Sequence, residues 1–209
     1  LIHGDLFIGG SARHCKTNHS ELCQQARKDN GQKGLSNLPF LTPSRSNICP
    51  LWTLPKGLTI GGSLELRSCH NIKKLPQNLQ VSKHIRLFGC RKLEGLPEGL
   101  KVRGDLELVG CRSLKELPKG LRVTGDLTID GAAMLKRLPE NLHVGGSLTI
   151  QNCHNICLWP KNLYFGNNLT IRRCNKIESL SMEVKTGKSV LIDLCKNFCK
   201  LLSQRYPWS

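Results

Sequence analysis

The chain has 209 residues, enough for one domain or one repeat array, and carries 31 Lys and Arg against 15 Asp and Glu, a formal net charge of +16. That excess speaks to electrostatic potential and partners and not to fold. Aromatic residues make up only 5%, which argues against a globular core built on rings, and no run of about 18 apolar residues is present to cross a membrane as a helix.

At the start, Leu1-Ile2-His3-Gly4-Asp5 has no basic segment followed by an apolar one, so no secretory leader is expected there. Ile2-His3-Gly4-Asp5-Leu6-Phe7-Ile8 matches Val102-Arg103-Gly104-Asp105-Leu106-Glu107-Leu108, so residues 1–11 read as a partial repeat unit. Residues 12–37 are polar and out of register and read as an insertion looping out of the array, with a short helix expected from Ser20 to Lys28 and Ser20 as its cap. The insertion holds His14, Cys15, His19 and Cys23, which would put three ligands on one helix face. The spacing matches no common zinc finger, and a solvated loop is the expected reading, with no metal site.

Leu38-Pro39 restarts a shortened unit that runs to Leu54. From there Leu-Pro recurs every 21 residues at Leu54, Leu75, Leu96, Leu117 and Leu138, continues as Trp159-Pro160 and decays to Leu180-Ser181. Between these marks the apolar columns hold register: Leu64, Ile85, Leu106, Leu127, Leu148, Leu169 and Val190 in one, and Leu66, Leu87, Leu108, Ile129, Ile150, Ile171 and Ile192 in another. Seven in-register units mark a repeat fold. Leu-x-Val (Leu100 to Val102) and Leu-x-Leu (Leu106 to Leu108) each alternate with period two and predict two very short strands with one buried face. Gly62, Gly104, Gly125 and Gly146 stand between them, so a corner needing positive φ or close backbone approach is expected there. Asn167 fits that corner, and Lys83 and Lys188 fit it less well. Proline after leucine fixes φ and prevents helix at the preceding residue, so Cys-x-x-Leu-x-x-Leu-Pro reads as a third, extended side.

No single unit can bury its own apolar edge. Stacked about 4.8 Å apart, seven coils bury a continuous core, pair their strands in parallel and extend roughly 34 Å. The predicted fold is therefore mainly β, a right-handed solenoid of short parallel strands over residues 38–195, with Leu194, Phe198, Leu201 and Leu202 lining a C-terminal capping helix over residues 196–209.

Of the eleven cysteines, Cys69, Cys90, Cys111, Cys153, Cys174 and Cys195 share one column, with Ala132 or Ala133 in the gap. Column neighbours about 4.8 Å apart suit disulfide geometry poorly, so a ladder of buried, reduced thiols is expected, in a reducing compartment. His70 and His154 follow Cys69 and Cys153 directly. Adjacent strand residues point to opposite faces, so these are not catalytic dyads. Asp105 and Asp126, one coil apart, read as turn-capping groups and not as paired catalytic carboxylates. No catalytic constellation, phosphate-binding loop or cofactor is expected.

The phrase Gly110-Cys111-Arg112-Ser113-Leu114-Lys115-Glu116-Leu117-Pro118 resembles leucine-rich repeats. It is similar to repeats of plant intracellular resistance receptors, while the 21-residue period and the Leu-Pro opening look more like bacterial leucine-rich repeat proteins, including type III secreted effectors. The resemblance covers about residues 38–198. Cys stands where the family usually has Asn, the Cys-to-Leu spacing is one residue longer, and the Gly-centred corner is extra. The resemblance implies protein recognition on the strand face, in the cytoplasm or in a host cytosol.

The outward residues of the Leu-x-Leu strands form two columns, Glu65, Arg86, Glu107, Thr128, Thr149, Thr170 and Leu191 beside Arg67, Phe88, Val109, Asp130, Gln151, Arg172 and Asp193. Mixed charge with exposed apolar groups suits a protein partner, a host protein in the effector reading. The expected binding residues are Arg67, Arg86, Phe88, Glu107, Val109, Asp130, Gln151 and Arg172, on a monomeric module of a larger protein. Most of the basic residues, among them Arg91, Lys92, Lys101, Arg103, Arg112, Lys115, Lys119, Arg122, Lys136 and Arg137, are expected on the corners and the third side. Phosphate contact by nucleic acid, or an anionic membrane surface, is the alternative there.

Overall fold

The computed structural model describes residues 1–9, 51–177 and 188–195. The expected 12–37 insertion with its Ser20–Lys28 helix and His14, Cys15, His19 and Cys23, and the expected 196–209 cap, lie outside those residues.

Among the described residues every regular element is a strand. Eight of them, β1 (Leu6–Ile8), β3 (Leu64–Arg67), β5 (Ile85–Phe88), β7 (Leu106–Val109), β9 (Leu127–Asp130), β11 (Leu148–Gln151), β13 (Asn168–Arg172) and β14 (Ser189–Asp193), form one parallel sheet in that order. The two-residue strands β2 (Thr59–Ile60), β4 (Gln80–Val81), β6 (Lys101–Val102), β8 (Arg122–Val123), β10 (His143–Val144) and β12 (Tyr164–Phe165) form a second parallel sheet. The third side is extended and touches its neighbours through parallel bridges at Lys74–Gly95, Gly95–Glu116 and Arg137–Leu158. The product is a parallel β-solenoid whose coils advance by 21 residues, with Leu64 opposite Ile85, Ile85 opposite Leu106 and Leu106 opposite Leu127. β1 pairs directly with β3, Leu6 facing Leu64, and the unit expected to restart at Leu38-Pro39 lies mostly outside the described residues.

The inward columns fill the space between the three sides. Leu64, Leu66, Ile72, Ile85, Leu87, Leu93, Leu106, Leu108 and Leu114 are fully buried, and no polar or charged residue is buried among the described residues. Each such leucine or isoleucine contributes about 1.5–3 kcal/mol by leaving water. Backbone groups that a lone coil would leave bare are met by the next coil, since every strand but the two at the ends of each sheet lies between two others.

Two of the three corners use left-handed backbone. Gly57, Asn78, Gly99, Gly120, Asn141 and Asn162 turn the chain from the third side into the six-stranded sheet, all with positive φ and all glycine or asparagine. A second left-handed column, Ser68, Gly89, Gly110, Gly131, Asn152, Arg173 and Leu194, turns it out of the eight-stranded sheet.

The corner holding Gly62, Gly104, Gly125 and Gly146 works differently. None of these glycines has φ in the left-handed region, and close approach is the reason for them. The residue after each corner reaches across to the coil that follows. Asp5 Oδ1 accepts the Ser63 N–H at 2.5 Å, Asp105 Oδ1 accepts the Asp126 N–H at 2.9 Å, and Asp126 Oδ1 accepts the Ser147 N–H at 2.7 Å. His84 Nδ1 plays the same part for the Asp105 N–H at 3.0 Å. The capping expected of Asp105 and Asp126 thus runs between coils. A methyl group on Gly62, Gly125 or Gly146 would overlap the reaching carboxylate oxygen and stand 2.8–2.9 Å from backbone atoms of the same coil, and one on Gly104 would stand 2.8 Å from His84 Nδ1. Where the preceding coil offers only a short hydroxyl the restriction lifts: Lys83 follows Ser63, and Asn167 follows Ser147. Lys83, which sat awkwardly in the repeat, is therefore permitted by its neighbour; Lys188 follows Asn168, as long as an aspartate, and has no such explanation.

The thiol ladder is present. Cys69, Cys90, Cys111, Cys153, Cys174 and Cys195 are buried and unbridged, and Ala132 fills the gap. Each sulfur also approaches a carbonyl oxygen of a strand in the preceding coil, at 3.6–3.9 Å, for example Cys111 Sγ to Leu87 O at 3.6 Å. The thiol contact with Cys90 and burial both push the Cys111 thiol up, and Cys153 with burial does the same for Cys174.

Two outcomes are expected. Gly146→Ala should lower the urea midpoint by the equivalent of about 1–3 kcal/mol through overpacking, and Asp126→Ser in the same chain should recover part of that loss; a double variant no more stable than the single one would refute the close-approach account. In native protein treated with iodoacetamide, peptide mass spectrometry should find Cys157, the partly exposed thiol, modified well before Cys111 or Cys153. Equal rates at these three sites would show that the ladder is open to solvent.

Candidate functional site

The outward face of the eight-stranded sheet gathers all the sequence-predicted binding residues. Strand register puts Glu65 beside Arg86, Arg86 beside Glu107, Arg67 beside Phe88, Phe88 beside Val109, Val109 beside Asp130 and Asp130 beside Gln151, with Arg172 one coil further. Because strand side chains alternate, the burial pattern of these strands leaves this set outward while the leucines point in.

The face has three parts. At one end the Arg67 guanidinium lies over two rings, 4.8 Å from the Phe88 centroid and 5.6 Å from that of Phe7, while its Nε also meets Glu65. Next, Arg86 Nε donates to Glu107 at 2.8 Å across β5 and β7, and that hydrogen bond raises the Arg86 pKa further above its ordinary value. At the far end Asp130 accepts from Gln151 Nε2 at 3.0 Å and from Asn152 Nδ2 at 2.7 Å, and Arg172 lies 3.7 Å from Asp193. Thr128, Thr149 and Thr170 form a plain row between. Two participants escaped the sequence reading. Phe7 belongs to the first coil, and its alignment with Glu107 was the available signal. Asn152 was hidden because a left-handed corner residue does not alternate with the strand before it.

The corner row borders this face. His84 Nδ1 stands 3.0 Å from the Asp105 amide nitrogen and 3.0 Å from Asp105 Oδ2. The unprotonated nitrogen accepts from the amide; a protonated one would instead face the carboxylate. Every carboxylate of the face and its border has a partner: Glu65, Glu107 and Asp193 pair with arginines, Asp5, Asp105 and Asp126 hold backbone amides, and Asp130 holds two side-chain amides.

The other two sides are different in charge. Glu94, Glu98, Glu116 and Glu140 are their only described acids, set against the majority of the lysines and arginines. Lys115 with Glu94, at 3.1 Å, is their single ion pair among the described residues. The six-stranded sheet carries outward Gln80, Lys101, Arg122, His143 and Tyr164 on successive coils. Lys101 and Arg122 were expected on corners or the third side and instead occupy this sheet. His143 and Tyr164 stack with centroids 4.3 Å apart and planes 4° from parallel.

Cys69 and Cys153 point into the core while His70 is half-buried and His154 exposed, so neither pair forms a dyad. Among the described residues no group of three His, Cys, Asp or Glu side chains is placed to hold a metal ion, and no helix is long and apolar enough to cross a membrane. No protein-family model matches the chain, and neither a curated protein nor a solved structure does.

Asp5, at the first joint of the border row, makes the array acid-sensitive. The Ser63 N–H holds the Asp5 carboxyl below its ordinary value. A carboxylate whose pKa is depressed by folding stabilises the fold above its unfolded pKa of about 4 and loses that contribution as pH falls. Urea midpoints should therefore drop from pH 6 toward pH 3, and Asp5→Asn should flatten part of that slope; an unchanged slope would remove Asp5 from the account.

Proposed function

We propose that this protein is a recognition module that binds a partner protein through the outward face of its eight-stranded sheet. The observation that carries this reading is the Phe7–Arg67–Phe88 cluster beside Val109. Apolar rings and a guanidinium sit together, outward, on a rigid sheet whose polar groups are already paired. Aromatic and arginine side chains dominate binding energy at protein interfaces, and a preorganised face loses little entropy when it docks. The columns that build the fold repeat one residue type from coil to coil, whereas Glu65, Arg86, Glu107 and Thr128, or Arg67, Phe88, Val109 and Asp130, change at each step. A fold that holds its core constant and varies this face can specify one partner.

The 21-residue unit, its Leu-Pro opening and its Leu-x-Leu strand support assigning the array to the leucine-rich-repeat type, in the style of bacterial effector proteins, as one module of a larger protein. The partner is then a host protein met in a cytosol, and the unbridged thiol ladder suits that reducing setting. Binding is the activity in this reading, with no reaction assigned to these residues.

The test is capture from a nuclease-treated lysate, followed by affinity measurement against the protein recovered. Phe88→Ala should weaken that affinity roughly 30-fold or more, the scale of an interface anchor, and Arg172→Ala should weaken it less. A partner bound equally well by Phe88→Ala and wild type would refute the face assignment, as would loss of everything captured once nuclease is added.

A further inference from the structure

The six-stranded sheet carries an arrangement that the protein-recognition reading does not use. Lys101 on β6 and Arg122 on β8 are register partners with their side chains on the same outward face, about one strand spacing of 4.8 Å apart. Arg103 lies exposed just beyond Val102, at the edge of the same face. Like charges set directly opposite each other on a sheet destabilise it. Relief could come from carboxylates nearby. Asp105 and Asp126, the nearest in sequence to Arg103 and Arg122, are spent on backbone amides of the next coil, and Glu98 stands across the left-handed corner from Lys101; among the described residues Lys101, Arg103 and Arg122 form no ion pair. The contrast with the opposite sheet is sharp, since there every carboxylate and three of the arginines are matched. One sheet of this protein is electrostatically complete in itself, and the other is not.

The geometry points to a duplex nucleic acid as the missing counter-charge, held by its phosphates across Lys101, Arg103 and Arg122. The charge sign selects a polyanion. The fixed spacing of the row selects a stiff one with regularly placed charges, which a duplex supplies. The aromatic pair argues against a single strand. His143 and Tyr164 stack on each other, so each ring spends a face on its neighbour, and this sheet's outward row holds no series of separated rings on which successive bases of a single strand could stack. Their edges, with the imidazole nitrogens and the phenolic hydroxyl, extend the line of hydrogen-bonding groups beyond Arg122. Contact of this kind positions the duplex and does not read its sequence.

The experiment uses the full chain and a fluorescein-labelled 20-base-pair DNA duplex of arbitrary sequence, followed by anisotropy across salt concentrations. Three phosphate contacts predict a slope of about −2.7 in log affinity against log salt, roughly a 40-fold loss between about 50 and about 200 mM. Lys101→Gln/Arg103→Gln/Arg122→Gln should abolish most of that slope and weaken binding at least tenfold, without lowering the melting temperature, because the opposed cations are relieved. Arg122→Gln alone should make the slope shallower by about 0.9, which keeps the test decisive should the triple variant fold poorly. Phe88→Ala should bind the duplex as wild type does, so failure here and failure of the protein-recognition reading are separable. The proposal is overturned if the duplex does not bind at about 50 mM salt, a condition that favours any phosphate contact. It is overturned equally if the variants bind as wild type does, or if the matching single strand, a sulfated polysaccharide or phosphatidylserine vesicles bind more tightly than the duplex.

Discussion

Everything in this molecule depends on residue i meeting residue i + 21. A coil offers four residues of strand on one side, two on another and an extended third side, too little to bury an apolar edge or satisfy its own backbone. The coil above and the coil below do both. Stability is then a matter of nearest neighbours, and a column tolerates only what fits against its own image one coil away. Leucine, isoleucine and valine fit so, stacked in one continuous buried core. So do thiols, which is why six cysteines line up without bonding to one another.

The same rule explains what the outward faces are free to do. A column that faces solvent meets its image only at the side, so it admits alternation of charge, as in Glu65, Arg86 and Glu107, or a guanidinium between rings, as in Phe7, Arg67 and Phe88. It also admits repulsion, as in Lys101 and Arg122, when something outside the chain can absorb it. The two sheets therefore present two electrostatic characters from one repeat, and among the described residues the excess of lysine and arginine lies mostly away from the face where aromatic anchors stand.

Much of this was legible in the sequence, because a repeat prints its columns in the open. The 21-residue step, the two strands, the buried thiols and the outward set from Arg67 to Arg172 all follow from period and alternation. The corners were harder. Glycine in the Gly62 column signals either a left-handed turn or a tight approach, and one column by itself cannot separate them. The distinction emerges only from pairs of coils, since the determinant is the side chain of the residue 20 positions earlier, Asp105 for Gly125 and Ser63 for Lys83. The left-handed turn after proline went unread, although its column holds only glycine and asparagine, two residue types with one conformational property. Phe7 was missed for a different reason: a strand separated from its neighbour by more than fifty residues looks peripheral in the sequence and is adjacent in space.

The reaching corner side chains also give the array a direction and a grammar. A coil ending in Asp at that position must be followed by one that brings glycine, whereas a coil ending in Ser can be followed by lysine or asparagine. The units are consequently not interchangeable, despite their common core. If such arrays lengthen and shorten by gain and loss of whole units, a seam that placed the Lys83 unit after the Asp126 unit would collide at once, while one that placed it after the Ser147 unit would close. The history of a solenoid of this kind should be written in its joints: units change places most freely where a small hydroxyl stands at the corner, and travel in linked runs wherever a carboxylate does.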